Sequence, residues 1–104
     1  MKIDFNKPIL DLSGKPVKQD DSAKSANATL GTVAVNALMA AYRDEDSLSG
    51  ADKARRYALA LKINKGGTVD LKSEDVTTIK TLIGKAFNPL IVGRAYEIID
   101  PGTE

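Results

Sequence analysis

The protein is a chain of 104 residues with 15 basic and 14 acidic side chains, a formal net charge of +1, and 42% apolar residues, an ordinary composition for one globular domain. It contains no His, Cys or Trp, which excludes a disulfide framework, a zinc-finger ligand set, a thiolate nucleophile and a His-based catalytic triad. We therefore expect a protein that is not an enzyme and that carries no catalytic residues, cofactor or metal.

The first part of the chain is typical of extended structure. Residues 2–6 alternate between polar and apolar side chains, the period of a half-buried strand. Asp11 and Gly14 stand first and fourth in a four-residue segment, positions that they favour in a type I turn. Residues 16–18 can then return as a second strand, so the sequence predicts a β-hairpin arm over residues 1–18.

The remainder of the chain divides into three parts. Residues 19–28 contain no large apolar side chain, and we interpret them as a flexible linker because they cannot bury enough surface to fold. Residues 29–100 show repeated helical periodicity and form the predicted helical domain. Residues 101–104 are expected to be a tail. The predicted fold class is α+β, with a hairpin, a linker and a compact bundle of about four helices.

The first helix is predicted from Leu30 to Tyr42, with Thr29 as its N-cap. Its apolar positions form one unbroken stripe. They are Leu30, Val33, Ala34, Ala37, Leu38 and Ala41.

The second helix is predicted to begin after Ser49, a favourable N-cap residue. Its expected buried stripe consists of Ala54, Tyr57, Ala58 and Leu61, with Leu59 and Ile63 widening it. The segment from Asn64 to Gly67 ends the helix, since Asn and Gly tolerate left-handed backbone geometry.

Two further helices follow a short extended segment at residues 68–71. Ser73 is the predicted N-cap of the third helix, whose apolar positions are Val76, Ile79, Leu82, Ile83 and Ala86. Asn88 is the predicted N-cap of the fourth helix, with Pro89 at its first position. Helix four extends to about Ile99.

Helix four is apolar on nearly all sides, leaving only Gly93, Arg94 and Glu97 for solvent. Such a helix is buried in a core or an interface. We therefore predict an interaction surface on it, and a homodimer is one assembly that would bury it. The candidate residues are Leu90, Ile91, Arg94, Tyr96 and Ile98.

A second hypothesis is a small nucleic-acid-binding regulator that uses a basic face of helix two. The candidate residues are Lys53, Arg55, Arg56 and Lys62. Against it, the chain lacks the basic excess of most proteins that bind phosphates. Asp52 and the acids at positions 44–46 lie nearby, and a mixed run of this kind is more often a solvated face.

No segment approaches the roughly 20 consecutive apolar residues that cross a bilayer, and the alternating N-terminus is not typical of a signal peptide. We therefore expect no contact with a membrane and a cytoplasmic location.

Several segments together resemble small proteins encoded by tailed bacteriophages and prophages. The segments are Phe5-x-x-Pro8-Ile9-Leu10-Asp11-Leu12-x-Gly14-x-Pro16, Thr29-Leu30-Gly31 followed by Val33–Leu38, Tyr57–Ile63, Asp70-Leu71 before Ile79-Lys80, and Pro89–Gly93. The resemblance implies a location in the bacterial host cytoplasm or the virion. It also implies a phage or host protein as partner, for a virion assembly factor or a host-factor binder. It assigns no functional residues.

Overall fold

A computed structural model of the protein describes residues 2–18, 27–40, 42 and 48–99. Within these residues two short strands and four helices follow one another along the chain, and the predicted α+β fold class is confirmed. They are β1 (Lys2–Asp4), α1 (Leu30–Met39), α2 (Gly50–Asn64), β2 (Thr68–Asp70), α3 (Ser73–Ala86) and α4 (Pro89–Ile99). None of the described helices combines the length and the apolar character needed to cross a membrane.

The two strands form an antiparallel sheet that ties the N-terminus to the helical part of the chain. Ile3 of β1 lies opposite Val69 of β2, and both side chains are buried. The ladder continues where the Phe5 N–H donates to the Gly67 carbonyl at 3.0 Å. Strands this short are not stable alone, so packing of their inner face against the helices holds them in place.

The predicted turn at residues 11–14 is confirmed. The Gly14 N–H donates to the Asp11 carbonyl at 3.0 Å, and Gly14 has a φ of 86°, a value that glycine adopts without steric cost. An antiparallel bridge between Leu10 and Pro16 closes the reversal.

The N-terminal segment belongs to the same core as the helices. Phe5 and Ile9 are fully buried within the hydrophobic cluster. The predicted linker falls largely outside the described residues, as does the predicted tail, but Asn27, which is exposed and bridges to Lys18, and Ala28 are described. The Ala28 N–H donates to the Val17 carbonyl at 2.6 Å, and Ala28 is buried, so the last two positions of the predicted linker are structured.

Helix α1 begins where the sequence predicted and ends earlier. Thr29 and Thr32 cap each other's backbone N–H groups in a capping box. Ala40 is extended, with a ψ of 151°, so the predicted end at Tyr42 was wrong. The Tyr42 hydroxyl instead donates to the Ala37 carbonyl at 2.6 Å, satisfying a C-terminal carbonyl that a longer helix would have used internally.

Helix α2 is capped by Ser49 as predicted, but the centre of its predicted buried stripe was wrong. Leu59 and Ile63, predicted to widen the stripe, are buried together with Ala60, whereas Ala54, Tyr57, Ala58 and Leu61 are exposed. The observed orientation buries two large aliphatic side chains. Burying the other four residues would have placed one leucine, two alanines and a phenol that needs a hydrogen-bond partner in the core.

Helices α3 and α4 complete the fold. Ser73 is the first residue of α3 rather than its N-cap, which is Lys72, without a side-chain cap bond. The predicted position was wrong by one residue because Lys72 still has extended geometry, with a ψ of 153°. Asn88 caps α4 as predicted, accepting a bond from the Ile91 N–H at 3.1 Å.

The core lies between α1 and the other elements, since α1 contacts α2, α3 and α4. Ala86, the last predicted apolar position of α3, is exposed. The largest fully buried side chains come from all parts of the described chain. They are Phe5, Ile9, Leu30, Ile63, Ile79, Leu82, Ile83 and Ile99.

Candidate interaction surface

The exposed large apolar side chains of the described residues are concentrated on one side of the molecule. Met39, Tyr57 and Leu61 are 57%, 54% and 50% exposed. Together with the half-buried Val35 they line one groove between α1 and α2. We call these four residues the α1–α2 face. Isolated exposed apolar residues are common on proteins, but a contiguous group of them marks an interaction site.

A second groove continues the first along the seam between the two helices. Met39 and Tyr57 line both grooves, and the second also includes Leu48 and Lys53. Its floor includes Leu38, a buried core residue. The volume of about 310 Å³ lies at the lower end of the roughly 300–1,000 Å³ typical of small-molecule pockets. The groove is therefore large enough to take one or two side chains of a partner.

The local sequence explains why this face stays exposed. On α2, Leu59 and Ile63 turn toward the core, and at 100° per residue Tyr57 and Leu61 then point away from it. On α1, Leu38 is buried, so the next residue, Met39, lies at the edge of the helix. The face thus follows from the direction in which the larger aliphatic side chains pack.

The remaining exposed large hydrophobic residue is Leu12, which is 89% exposed in the turn after β1. It stands away from the α1–α2 face in the sequence and lines neither groove. A single exposed leucine in a turn requires no functional explanation.

Two of the side chains predicted as an interaction surface on α4 are engaged within the molecule. The Arg94 guanidinium donates to the Asp11 carbonyl at 2.8 Å and lies 3.3 Å from the Glu97 carboxylate. The Tyr96 hydroxyl donates to the Lys80 carbonyl of α3 at 2.7 Å. Arg94 therefore holds the N-terminal turn and Tyr96 holds α3.

The apolar members of that predicted surface are half-buried. Ile91 and Ile98 pack against the core cluster, and Leu90 is half-buried at the start of α4. The fully buried residues of the helix are Ala95 and Ile99. Much of the apolar surface of α4 is thus used in closing the fold.

The predicted basic patch on α2 is divided by the helix geometry and by internal partners. Arg55 donates to the Asp75 carboxylate of α3 at 2.7 Å, and this hydrogen bond raises the pKa of the Arg55 guanidinium. Arg56 is half-buried and has an interaction partner within the molecule. Lys53 and Lys62 are exposed but lie on opposite sides of the helix, about 180° apart.

Sequence reasoning assigned Tyr57 and Leu61 to the core and did not single out Met39. The sequence did contain a pattern that indicates an exposed apolar surface on α2, because the helix has apolar residues on two separate arcs of its circumference. Residues 54, 57, 58 and 61 form one arc, and residues 59, 60 and 63 form the other. A helix with two such arcs in a small domain can bury one in its own core, which leaves the other for solvent or for a partner.

No family model, curated protein or solved structure matches the chain. The resemblance to bacteriophage proteins therefore stays a prediction. Among the described residues, no group of three or more acidic side chains is arranged to hold a metal ion.

Proposed function

We propose that the protein is a non-enzymatic interaction module that binds a protein partner through the α1–α2 face. The observation that carries the proposal is the grouping of Met39, Tyr57 and Leu61, each at least half exposed, around one groove. Burying the exposed part of each side chain in a complex contributes roughly 1 kcal/mol. The face thus keeps apolar surface in water that burial against a partner would remove.

The residue types also support a protein partner. Tyrosine is enriched among the residues that contribute most to protein interfaces, and the hydroxyl of Tyr57 can remain at a solvated rim. Methionine is flexible and adapts its shape to an irregular surface, which suits Met39. The groove beneath them provides the concave surface into which a partner's side chain can insert.

We favour the α1–α2 face over α4, the surface predicted from sequence, because of how each is used within the molecule. On α4, Arg94 and Tyr96 bond to other elements and the isoleucines pack on the core. Binding through α4 would require some of those contacts to be exchanged. Binding through the α1–α2 face requires none to be broken. If the bacteriophage resemblance holds, the partner would be a phage or bacterial host protein.

Site-specific photo-crosslinking in the cells that naturally express the gene tests this proposal. Three variants carry p-benzoylphenylalanine at Tyr57 on the proposed face, at Leu90 on α4, or at the exposed Thr81 on α3. We expect a discrete adduct from position 57 and none from position 81. An adduct at twice the 11.1 kDa mass of the chain would identify a second copy as the partner.

The control for specificity is Leu61→Asp in the variant labelled at position 57. It should abolish the adduct and lower the thermal unfolding temperature only slightly, because half of the Leu61 side chain is exposed. A discrete adduct from position 90 alone would contradict the proposal and favour α4. An adduct at position 57 that persists with Leu61→Asp would also contradict it, since the groove would then not be the contact.

A further inference from the structure

The charged residues of helix α2 and its immediate flanks are biased toward one sign. Helix α1 has no charged residue, and residues 48–65 contain five bases and one acid, a net charge of +4, whereas residues 43–47, outside the described part of the chain, contain one base and three acids. The whole chain has a net charge of +1, so the remaining residues together carry −3. The bases are Lys53, Arg55, Arg56, Lys62 and Lys65, and the acid is Asp52.

Three of these bases have no counter-charge within the part of the chain that the structure describes. Lys53, Lys62 and Lys65 are exposed and form no ion pair there. Arg55, in contrast, is paired with Asp75. The uncompensated positive charge therefore lies at Lys53, beside the first turn of α2, and at the two lysines near its end.

These lysines lie on both sides of the apolar row. Lys53 lines the groove on the α1 side together with Tyr57. Lys62 and Lys65 line a hollow on the other side together with Leu61, and Lys72, Glu74 and the Arg55-paired Asp75 line the same hollow. From Lys53 to Lys65 the helix rises about 18 Å, the length of a short helical segment of a partner. The surface is thus an apolar row with one ammonium group beside the first turn of α2 on one side and two near the end of α2 on the other.

We infer that the segment bound by the α1–α2 face is an acidic amphipathic helix. Its apolar side chains would fill the groove at i, i+3 or i+4, and i+7, and its Asp and Glu side chains would face Lys53 on one side and Lys62 and Lys65 on the other. This inference rests on the proposed function and specifies its partner. Opposite charges at the rim chiefly raise the association rate and select the partner.

A helix fits this face better than an extended peptide does. An extended peptide adds to a sheet edge through backbone hydrogen bonds, and the face consists only of helices, whose backbone groups are already paired. An amphipathic helix instead places its side chains in the groove between two helices.

The shape of the face favours a peptide over the two other anionic partners. Bilayers favour a continuous amphipathic surface that can lie in the plane of the interface, whereas this face is grooved between α1 and α2. Single-stranded nucleic acid favours aromatic side chains on which successive bases stack, and the face has only Tyr57. Both partners nevertheless remain distinct outcomes of the experiment below.

The experiment selects ligands from a displayed library of random peptides of about 16 residues, long enough for about 24 Å of helix. The purified full chain is the bait. We expect the selected peptides to contain more Asp and Glu than Lys and Arg, with apolar residues at helical spacing. Leu61→Asp should weaken their binding at least about tenfold, the effect of roughly 1.4 kcal/mol.

Charge reversal then tests the electrostatic part of the inference. Lys53→Glu combined with Lys62→Glu should weaken binding of the selected peptides about tenfold, and added salt should reduce the wild-type affinity. The matched control is Lys7→Glu combined with Lys15→Glu, which makes the same change in net charge at two exposed lysines outside the face. The control should leave the affinity within about twofold of the wild type.

The outcomes separate this inference from the proposed function. One outcome is that the selected peptides are neutral or basic, that their binding depends on Leu61, and that Lys53→Glu combined with Lys62→Glu does not weaken it. That outcome would overturn the inference and leave the proposed function standing. If Leu61→Asp does not weaken binding of any selected peptide, or if the library yields no peptide whose binding depends on Leu61, the result would contradict both the inference and the proposed function. Leu61-dependent binding of single-stranded DNA, or of phosphatidylcholine vesicles containing phosphatidylglycerol, without acidic peptides would overturn the inference in favour of that partner.

Discussion

Leu61 and Ile63 are two residues apart on α2, yet Leu61 is 50% exposed and Ile63 is 1% exposed. An apolar residue in this chain can stabilise the fold or remain available to a partner, and its exposure indicates which. Ile63 removes its surface from water when the chain folds. Leu61 keeps half of its surface in water after folding, and that half is available to a partner.

The first prediction concerns this pair. Leu61→Gln should lower the free energy of unfolding by about 1 kcal/mol or less, because half of the side chain is in water in the folded chain. Ile63→Ala should lower it by about 2–4 kcal/mol, since it leaves a cavity in a packed core. Urea denaturation followed by circular dichroism measures both. Equal losses would mean that Leu61 is part of the core, and the α1–α2 face would lose its physical basis.

The second prediction concerns two glycines within helices. A Cβ added at Gly93 meets no atom within 4 Å, so Gly93→Ala should stabilise the protein by about 0.5–1 kcal/mol through helix propensity. A Cβ at Gly84 would lie 3.0 Å from the Tyr96 hydroxyl oxygen, which is bonded to the Lys80 carbonyl. Gly84→Ala should therefore stabilise the protein less than Gly93→Ala does, or destabilise it. Thermal unfolding compares them, and an equal gain at both positions would contradict the described packing of Tyr96.

At the scale of elements, the helix starts were the most predictable features. The caps at Thr29, Ser49 and Asn88 are local, because each side chain bonds a backbone N–H three residues later. The end of α1 was not predictable from local residues. It depends on the Tyr42 hydroxyl, which bonds the Ala37 carbonyl and also lies 3.4 Å from the Leu82 carbonyl of α3.

Contacts between distant segments were also beyond the sequence patterns. Periodicity predicted extended structure at both strands but not that β1 pairs with β2. It likewise could not choose between the two apolar arcs of α2, because that choice depends on which arc buries more surface against α1 and α3. The same ambiguity explains why the candidate face was not predicted: Tyr57 and Leu61 belonged to the arc that was assigned to the core.

The third prediction tests the long-range bond between α4 and the turn at residues 11–14. Arg94→Leu removes the charged donor to the Asp11 carbonyl and should lower the free energy of unfolding by about 1–3 kcal/mol. Amide hydrogen exchange at Gly14, whose N–H bonds to Asp11, should become faster. Glu97→Gln is the control, because it removes only the Arg94–Glu97 pair and should have little effect. Unchanged exchange at Gly14 in Arg94→Leu would show that the bond does not hold the turn.

At the scale of the whole molecule, the net charge of +1 conceals an uneven distribution. The near balance of 15 bases and 14 acids argued against binding to phosphates, and it gave no indication of a local excess. The sequence alone shows a net charge of +4 over residues 48–65, and the fold adds that Arg55 is paired whereas Lys53, Lys62 and Lys65 form no ion pair among the described residues. A surface that binds a polyanion needs only the positive charges. A surface that binds an acidic amphipathic helix also needs apolar side chains, and here an apolar row lies between the lysines.

A methyl NMR titration of the chain tests most directly whether the α1–α2 face binds the partner. The titrant is the partner captured by crosslinking, whichever labelled position captures it. Binding through the α1–α2 face should shift or broaden the methyl resonances of Val35, Met39 and Leu61 and leave those of Leu90, Ile91 and Ile98 unchanged. Shifts or broadening confined to the α4 methyl resonances would contradict binding through the α1–α2 face.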